Sequence, residues 1–165
     1  WSGGPEMEDF IPDIAALKSA GIIPIFAAGN LGPTAGTVTA PANYHFVIAA
    51  GASDDEDRLA WFSGRGPSAL TNQPKPTFVA PGTHILSALP NSQYGYNNGT
   101  SMATPHVAGV AALIWSANPD WTNVQIREAM NQTALDLGDP GRVIHYGYGL
   151  VQAYDALQVL YQVEE

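Results

Sequence analysis

The feature that most constrains this chain is an abrupt change from a polar, glycine-bearing segment to a long apolar one, in NNGTSMATPHVAGVAALIW at residues 97–115. The apolar run predicts a helix from about Ser101 to Ser116. Its apolar positions are not confined to one stripe, because Ala108, Ala112 and Leu113 widen the face. A helix that is apolar almost all round is typical of the centre of a domain. The sequence therefore predicts a central buried helix that begins at a serine.

The rest of the chain alternates strand-like and helix-like segments. Helical patterns occupy residues 12–20, 118–134 and 150–163, and continuous apolar runs occupy residues 22–27, 45–52 and 77–89. Thr122 and Gln125 form a capping-box pattern at the start of the second of these helices. Pro24 and Pro81 interrupt two of the runs, since proline gives no donor to a sheet. Alternation of this kind predicts an α/β fold with parallel strands, and 165 residues fit one domain.

Composition excludes several classes of function. Fifteen acidic against six basic residues give a net charge of −9, which argues against nucleic-acid binding. The chain has no cysteine, which excludes a disulfide framework and a thiolate nucleophile. No apolar stretch reaches the roughly 20 residues needed to cross a bilayer, so no membrane association is expected. Because the chain begins at Trp1 rather than methionine, we expect a processed product or a fragment.

Ser101 has two interpretations. Serine is a favoured helix cap, and Gly99 could simply provide a turn. Alternatively, the turn presents the hydroxyl as a nucleophile, and the free N–H groups of the helix N-terminus hold the oxyanion that forms when a serine attacks a carbonyl. The small neighbours Gly99, Thr100 and Ala103 would then let a substrate backbone approach closely.

The segment GTSMATPHVAGVAAL closely resembles the nucleophile segment of the subtilisin-like serine proteases, and further matches cover nearly the whole chain. The resemblance implies a three-layer α/β fold, with a mostly parallel sheet flanked by helices and the N-terminal part of the domain absent. Residues 1–165 would be the C-terminal portion of the peptidase domain, with Ser101 as the nucleophile. In AAGN, Asn30 would be the side-chain donor of the oxyanion hole. Without Ser101, a turn asparagine would be the simpler interpretation of Asn30.

The resemblance also implies a substrate-binding region. Trp1, Ser2 and Gly3 would form a strand that pairs with the substrate backbone and makes one wall of the specificity pocket. Ala28 and Gly29 would line the opposite wall. The family commonly has a cis bond in the segment TAPANY, which makes Ala40–Pro41 a candidate.

The family's catalytic aspartate and histidine precede the part that this chain matches, so the triad is incomplete within these 165 residues. His106 is expected to be a buried core residue, and we do not expect the other histidines, at positions 45, 84 and 145, to act on Ser101. The acidic run at residues 54–57 is interpreted as a solvated loop. Family members often carry structural calcium, and oxygen-rich loops bind hard cations, so structural calcium remains an expectation without assigned ligands. No cofactor is expected for catalysis.

Two hypotheses of different class follow. In the first, the chain is part of a secreted serine endopeptidase that acts on polypeptides, with its aspartate and histidine outside these residues. In the second, it is a catalytically silent module of the same fold that binds peptides or a partner chain. Since a parallel sheet cut partway exposes an edge and apolar faces, we expect the chain to pack against the missing N-terminal part or to self-associate.

Overall fold

The structure, a computed structural model, describes residues 3–161; the predicted substrate-binding residues Trp1 and Ser2 lie outside this range. Its elements in chain order are α1 (Ile11–Ser19), β1 (Ile25–Ala27), β2 (Ile48–Ser53), β3 (Phe78–Pro81), β4 (Ile85–Leu89), β5 (Gln93–Asn97), α2 (Thr100–Ala117), α3 (Asn123–Thr133) and α4 (Ala153–Tyr161). No helix within residues 3–161 is long and apolar enough to span a membrane.

Strands β1, β2 and β3 form a parallel sheet in that order, as the alternating pattern predicts. The register pairs Ile25 with Ile48 and Ala50 with Phe78. The first strand is shorter than the apolar run at residues 22–27, because Pro24 has no N–H and contributes only its carbonyl, which accepts from the N–H of Ile48 at 3.0 Å. The sheet therefore starts just after this proline.

The two faces of the sheet carry different layers. Ile25, Ile48 and Phe78 point to one face, where they share a core with α2 and α3. Helix α1 lies on the other face, where Ile14 packs in a cluster with Val47. Because neighbouring residues of a strand point to opposite faces, one short apolar strand supplies both cores. The result is the predicted order of layers: helix, sheet, helices.

Helix α2 differs from the expectation of burial on all sides. Its buried apolar residues lie on one face and include Val107 and Ile114, whereas Ala108, Ala112 and Leu113 are exposed. Leu113 keeps 50% of its surface accessible. The prediction was wrong for this face because the sheet, α3 and α4 cover one side of the helix, and no element of the described chain covers the other.

The run at residues 77–89 also differs from the expectation of one strand region. Its first half is β3 of the parallel sheet, and its second half is β4, which pairs antiparallel with β5 in a separate hairpin. Tyr94 and Tyr96 on β5 are exposed, so the partner of β4 carries no buried apolar pattern. The sequence analysis missed β5 for this reason.

Two predictions about single sites in the chain were confirmed by the structure. The capping box of α3 is present, with the N–H of Gln125 donating to the Thr122 hydroxyl and the Gln125 side chain accepting from Thr122. The peptide bond between Ala40 and Pro41 is cis, which confirms that prediction. The capping box was predicted from residues close together in the chain, and the cis bond from the family resemblance.

A buried lysine lies beside the sheet. The Lys75 side chain is fully buried, and its Nζ donates to the carbonyls of Tyr44 at 2.7 Å and Val47 at 3.1 Å. No carboxylate forms an ion pair with it within residues 3–161. Burial, and secondarily the positive charges of Arg127 and Arg142, lower the pKa of Lys75 to about 7.

This depressed pKa predicts that the free energy of unfolding rises with pH. Between a folded pKa of about 7 and the ordinary lysine pKa of 10.5, the unfolded chain holds a proton that the folded chain has released. The free energy of unfolding should therefore increase by about 2 kcal/mol from pH 7 to pH 9. Urea unfolding of the complete protein, in a Ser101→Ala background to prevent self-digestion, measures this slope. Lys75→Met should flatten the slope, and an equal slope in the two proteins would contradict the assignment.

Candidate active site

The candidate site lies at the carboxyl ends of the parallel strands. Asn30 follows β1 by three residues, and Gly82 follows β3 directly. The N–H of Gly99, which precedes α2, donates to the carbonyl of Gly82 at 2.8 Å. The turn that carries Ser101 is thereby fixed to the end of one strand, with Asn30 coming from the end of another. Ligand sites of α/β sheets characteristically form at this edge.

Ser101 is the second residue of α2, and it is exposed. The first N–H groups of a helix have no acceptor one turn back, so the backbone N–H of Ser101 is a donor at the positive end of the helix dipole. Gly99 reaches this turn with φ +153°, a conformation that favours glycine. The buried face of α2 holds the turn rigidly against the sheet.

Asn30 contacts the residue next to Ser101. Its Oδ1 accepts from the backbone N–H of Thr100 at 2.9 Å and from the Thr100 hydroxyl at 2.9 Å. Because both bonds engage the oxygen, the amide group is oriented and its Nδ2 stays available as a donor. A Cβ added at Gly99 would stand 3.3 Å from this Nδ2, so the nitrogen lies against the turn.

Thr100 is a residue whose role sequence reasoning missed. Its hydroxyl donates to Asn30 and accepts from the N–H of Gly29 at 3.2 Å, which ties α2 to the loop after β1. The side chain is fully buried although it is polar. From the sequence, Thr100 was interpreted only as a small neighbour of the serine. A threonine directly before a candidate nucleophile is nevertheless a signal, because its hydroxyl can orient a second polar group.

A groove of about 320 Å³ lies beside Ser101, between the first turns of α2 and strand β4. Ser87 lines it on one side and His106 on the other. His106 is exposed, so the expectation that it is a buried core residue was wrong; the uncovered face of α2 is the reason. Its Nδ1 lies 2.8 Å from the Met102 carbonyl of its own helix. The ring is therefore bound to the helix backbone.

The other histidines are apart from this groove. His84 is exposed and stacks on Tyr96 at 4.0 Å between ring centroids. His45 is exposed beside Phe46, and His145 lies between α3 and α4. In the part of the chain that the structure describes, no histidine hydrogen-bonds to Ser101. These residues alone therefore supply no base in contact with the serine.

Three of the predicted substrate-binding residues, Gly3, Ala28 and Gly29, lie within residues 3–161. The N–H of Gly3 donates to the carbonyl of Ala40 at 2.9 Å, and Gly29 adjoins Asn30 with φ +100°. Ala28 is fully buried in a cluster with Val38, so it supports the loop from behind. Trp1 and Ser2 cannot be placed, because they lie outside residues 3–161.

The acidic loop at residues 54–57 does not form a metal centre in the structure. The Asp54 carboxylate accepts the backbone N–H groups of Glu56 and Arg58, and it forms an ion pair with the Arg58 Nε at 3.0 Å. Among the described residues, no group of three or more His, Asp or Glu side chains could hold a metal ion. The expectation of structural calcium stays a prediction without assigned ligands.

A serine at the exposed start of a packed helix, beside an oriented amide at the carboxyl edge of a parallel sheet, is suited to acyl transfer through a serine nucleophile. The chain belongs to the subtilase family, peptidase S8, whose family model matches residues 1–149. The resemblance carried by GTSMATPHVAGVAAL is thereby confirmed, and the family is one of serine peptidases.

Curated relatives agree with this assignment. The chain is 45% identical over 140 residues to M-protease of Shouchella clausii, covering 85% of this chain and 34% of that protein. It is 44% identical over 159 residues to subtilisin E of Bacillus subtilis, with 94% and 39% covered, and 44% identical to subtilisin of Bacillus pumilus, with 94% and 54% covered. The chain thus spans between a third and just over half of the length of these relatives.

A solved structure supports the fold. The prenylagaramide maturation protease PagA is 28% identical to this chain and superimposes with a TM-score of 0.81. The match covers 96% of this chain and 58% of that protein. The predicted fold, a three-layer α/β arrangement with a parallel sheet flanked by helices, is confirmed.

Proposed function

We propose that this chain supplies the nucleophile and the oxyanion hole of a serine endopeptidase. The observation that supports this most is the pair of hydrogen bonds from Thr100 to Asn30 Oδ1. They hold an amide donor one residue away from an exposed serine. Residues 30 and 100 come from distant parts of the chain, and a helix cap alone would need no such partner.

In the proposed reaction, the Ser101 Oγ attacks the carbonyl carbon of a peptide bond and gives its proton to a base. The carbonyl oxygen becomes an oxyanion, which accepts hydrogen bonds from the Ser101 N–H and Asn30 Nδ2. The base then protonates the leaving amine as the C–N bond breaks. Water hydrolyses the acyl-enzyme by the same steps, and Ser101 regains its proton.

The histidine base and the aspartate that orients it are proposed to lie in a part of the protein outside these 165 residues. Substrate backbone would pair with the strand around Gly3, while Gly29 borders the space for the side chain before the scissile bond. Polypeptides are the proposed substrates, and a secreted location is proposed from the similarity of the chain to the subtilisins.

The uncovered face of α2 is the proposed contact with the rest of the protein. Leu113 is 50% exposed on this face, and Ile22 is 48% exposed near the start of β1. Strand β1 also forms one edge of the sheet within residues 3–161. A missing segment that packs on α2 would bury these apolar side chains and bring the base to the groove beside Ser101.

A fluorophosphonate, which labels only an activated serine, tests this proposal. We expect the complete protein to be labelled at Ser101, and the 165-residue chain alone to be labelled little or not at all, because the described chain has no base in contact with the serine. Mass spectrometry of the labelled peptide locates the adduct. Labelling in neither sample would favour the silent binding module, and rapid labelling of the chain alone would show that it contains its own base.

A further inference from the structure

A second cavity lies at the end of the sheet opposite to Ser101. It is lined by residues 22–24, which precede β1, and by Phe46, which precedes β2, whereas Asn30 follows β1. The C-terminal end of α1 and the N-terminal end of α3 complete its walls through Lys18 and Val124. This cavity, which we call the amino-end cavity, is therefore separate from the candidate active site.

The amino-end cavity has the size of a small organic molecule. Its volume is about 180 Å³, and its walls are mainly apolar, with Ile23, Pro24 and Phe46 among the lining residues. An apolar cavity of about 150 Å³ is large enough to bind benzene. The amino-end cavity therefore has room for one aromatic ring or a short branched chain.

Two basic residues, Lys18 and Arg127, are among those that line this apolar space. Nη1 of Arg127 donates to the Phe46 carbonyl at a long distance of 3.4 Å, which occupies one of the five guanidinium N–H groups. In the described range, neither cation forms an ion pair with a carboxylate. The guanidinium therefore has unused donors in a partly buried setting.

The frame around these cations is fixed by tertiary contacts. The Asn123 side-chain amide at the start of α3 donates to the Lys18 carbonyl at the end of α1, at 3.0 Å. These residues are 105 positions apart in sequence, so the bond holds the two helices that bring Lys18 and Arg127 to one cavity. The bond therefore fixes the relative position of the backbone at Lys18 and of the helix that carries Arg127.

The local charge is unusual for this protein. The chain has only six lysines and arginines against fifteen acidic residues, yet Arg127 lies near two other basic residues, Lys75 and Arg142. Burial, followed by the charge of Arg142, lowers the pKa of Arg127. Arg127 and Arg142 thus place two positive charges near each other, with Glu128 as a neighbouring negative charge, and a bound anion would reduce the repulsion between the two guanidinium groups.

We infer that the amino-end cavity binds a small carboxylate with an apolar body. A carboxylate matches the planar fork of a guanidinium with two parallel hydrogen bonds, and Lys18 adds a second positive charge. The apolar walls would take a ring or branched chain, which a bare inorganic anion does not offer. The ligand class is therefore a monocarboxylate of about seven carbon atoms, because an apolar cavity of roughly 150 Å³ accepts the six-carbon ring of benzene.

Sodium benzoate is the probe, with benzamide as a neutral control of the same shape. A ligand-observed NMR titration of the complete Ser101→Ala protein should give a dissociation constant on the order of 1 mM for benzoate. Benzamide should bind at least about tenfold more weakly, because it cannot form a charge-assisted pair with Arg127. Equal binding of the two compounds, or no benzoate binding up to about 20 mM, would overturn the inference.

Three variants test whether benzoate binds in the amino-end cavity. Arg127→Met should weaken benzoate binding at least about tenfold by removing the guanidinium. Val124→Trp adds bulk at a position that is 63% exposed, so it should block the cavity without disturbing the core. Arg58→Gln removes a cation of the exposed loop and should leave binding unchanged. Binding within about threefold of the parent in both Arg127→Met and Val124→Trp would contradict the assigned cavity.

Discussion

Ser101→Ala in the complete protein is expected to lower kcat for peptide hydrolysis by about 10⁶-fold, which is the size of the effect found for the nucleophile of subtilisin itself. The variant lacks the only atom that can form the acyl-enzyme in the proposed reaction. KM should change little, because alanine leaves the backbone N–H of residue 101 and the substrate-binding edge in place. Hydrolysis of a chromogenic peptide over long incubation measures both constants.

Ser87→Ala is the matched control for this experiment. Ser87 lines the same groove from strand β4, and it has the same hydroxyl without the helix N-terminus behind it. We expect this variant to keep kcat within about threefold of the parent. If Ser101→Ala retained more than about one hundredth of the activity, the nucleophile would be a different residue.

Asn30→Asp should lower kcat by at least about 10²–10³-fold, the range found for the equivalent donor of subtilisin. Aspartate keeps the oxygen that accepts the two bonds from Thr100, so the turn should stay folded. It replaces Nδ2 by an oxygen with negative charge, which would repel the developing oxyanion. The loss should fall on kcat rather than on KM, because the donor acts mainly in the transition state.

Asn97→Asp controls for the added charge. Asn97 is exposed at the end of β5, four residues before Ser101. The same charge at this position has no contact with Thr100, and screening by solvent should keep the loss of kcat within about fivefold. Equal losses in the two variants would mean that Asn30 acts only through electrostatics at long range. Unchanged kcat in Asn30→Asp would remove Asn30 from the oxyanion hole.

Prediction from the sequence was most successful where the signal lies within a short stretch of chain. The segment around Ser101 predicted a helix beginning at the serine, and the pattern from Thr122 to Gln125 predicted the start of α3. Both succeed because a helix start is set by neighbouring residues, through turn conformation and local capping bonds. The family assignment has the same origin, since it depends on the string of residues around the serine.

It was least successful where the outcome depends on which surfaces meet. His106 and Leu113 were expected to be buried because they belong to an apolar helix, but no described element packs on their side. Strand β5 was missed because its exposed tyrosines have no buried alternation. Hydrophobic patterning identifies apolar surfaces that are stabilised by burial. It does not say which of these surfaces other segments of the chain pack against.

By itself, the sequence determined the alternation of helices with parallel strands, the serine at the head of α2 and the membership of the subtilase family. Only the tertiary structure decided that Thr100 orients Asn30 across 70 residues, and that Lys18 and Arg127 line one cavity. The physical reason is the range of the forces involved. Backbone propensity and capping act within one turn, whereas these contacts require the sheet to bring distant segments within hydrogen-bond distance.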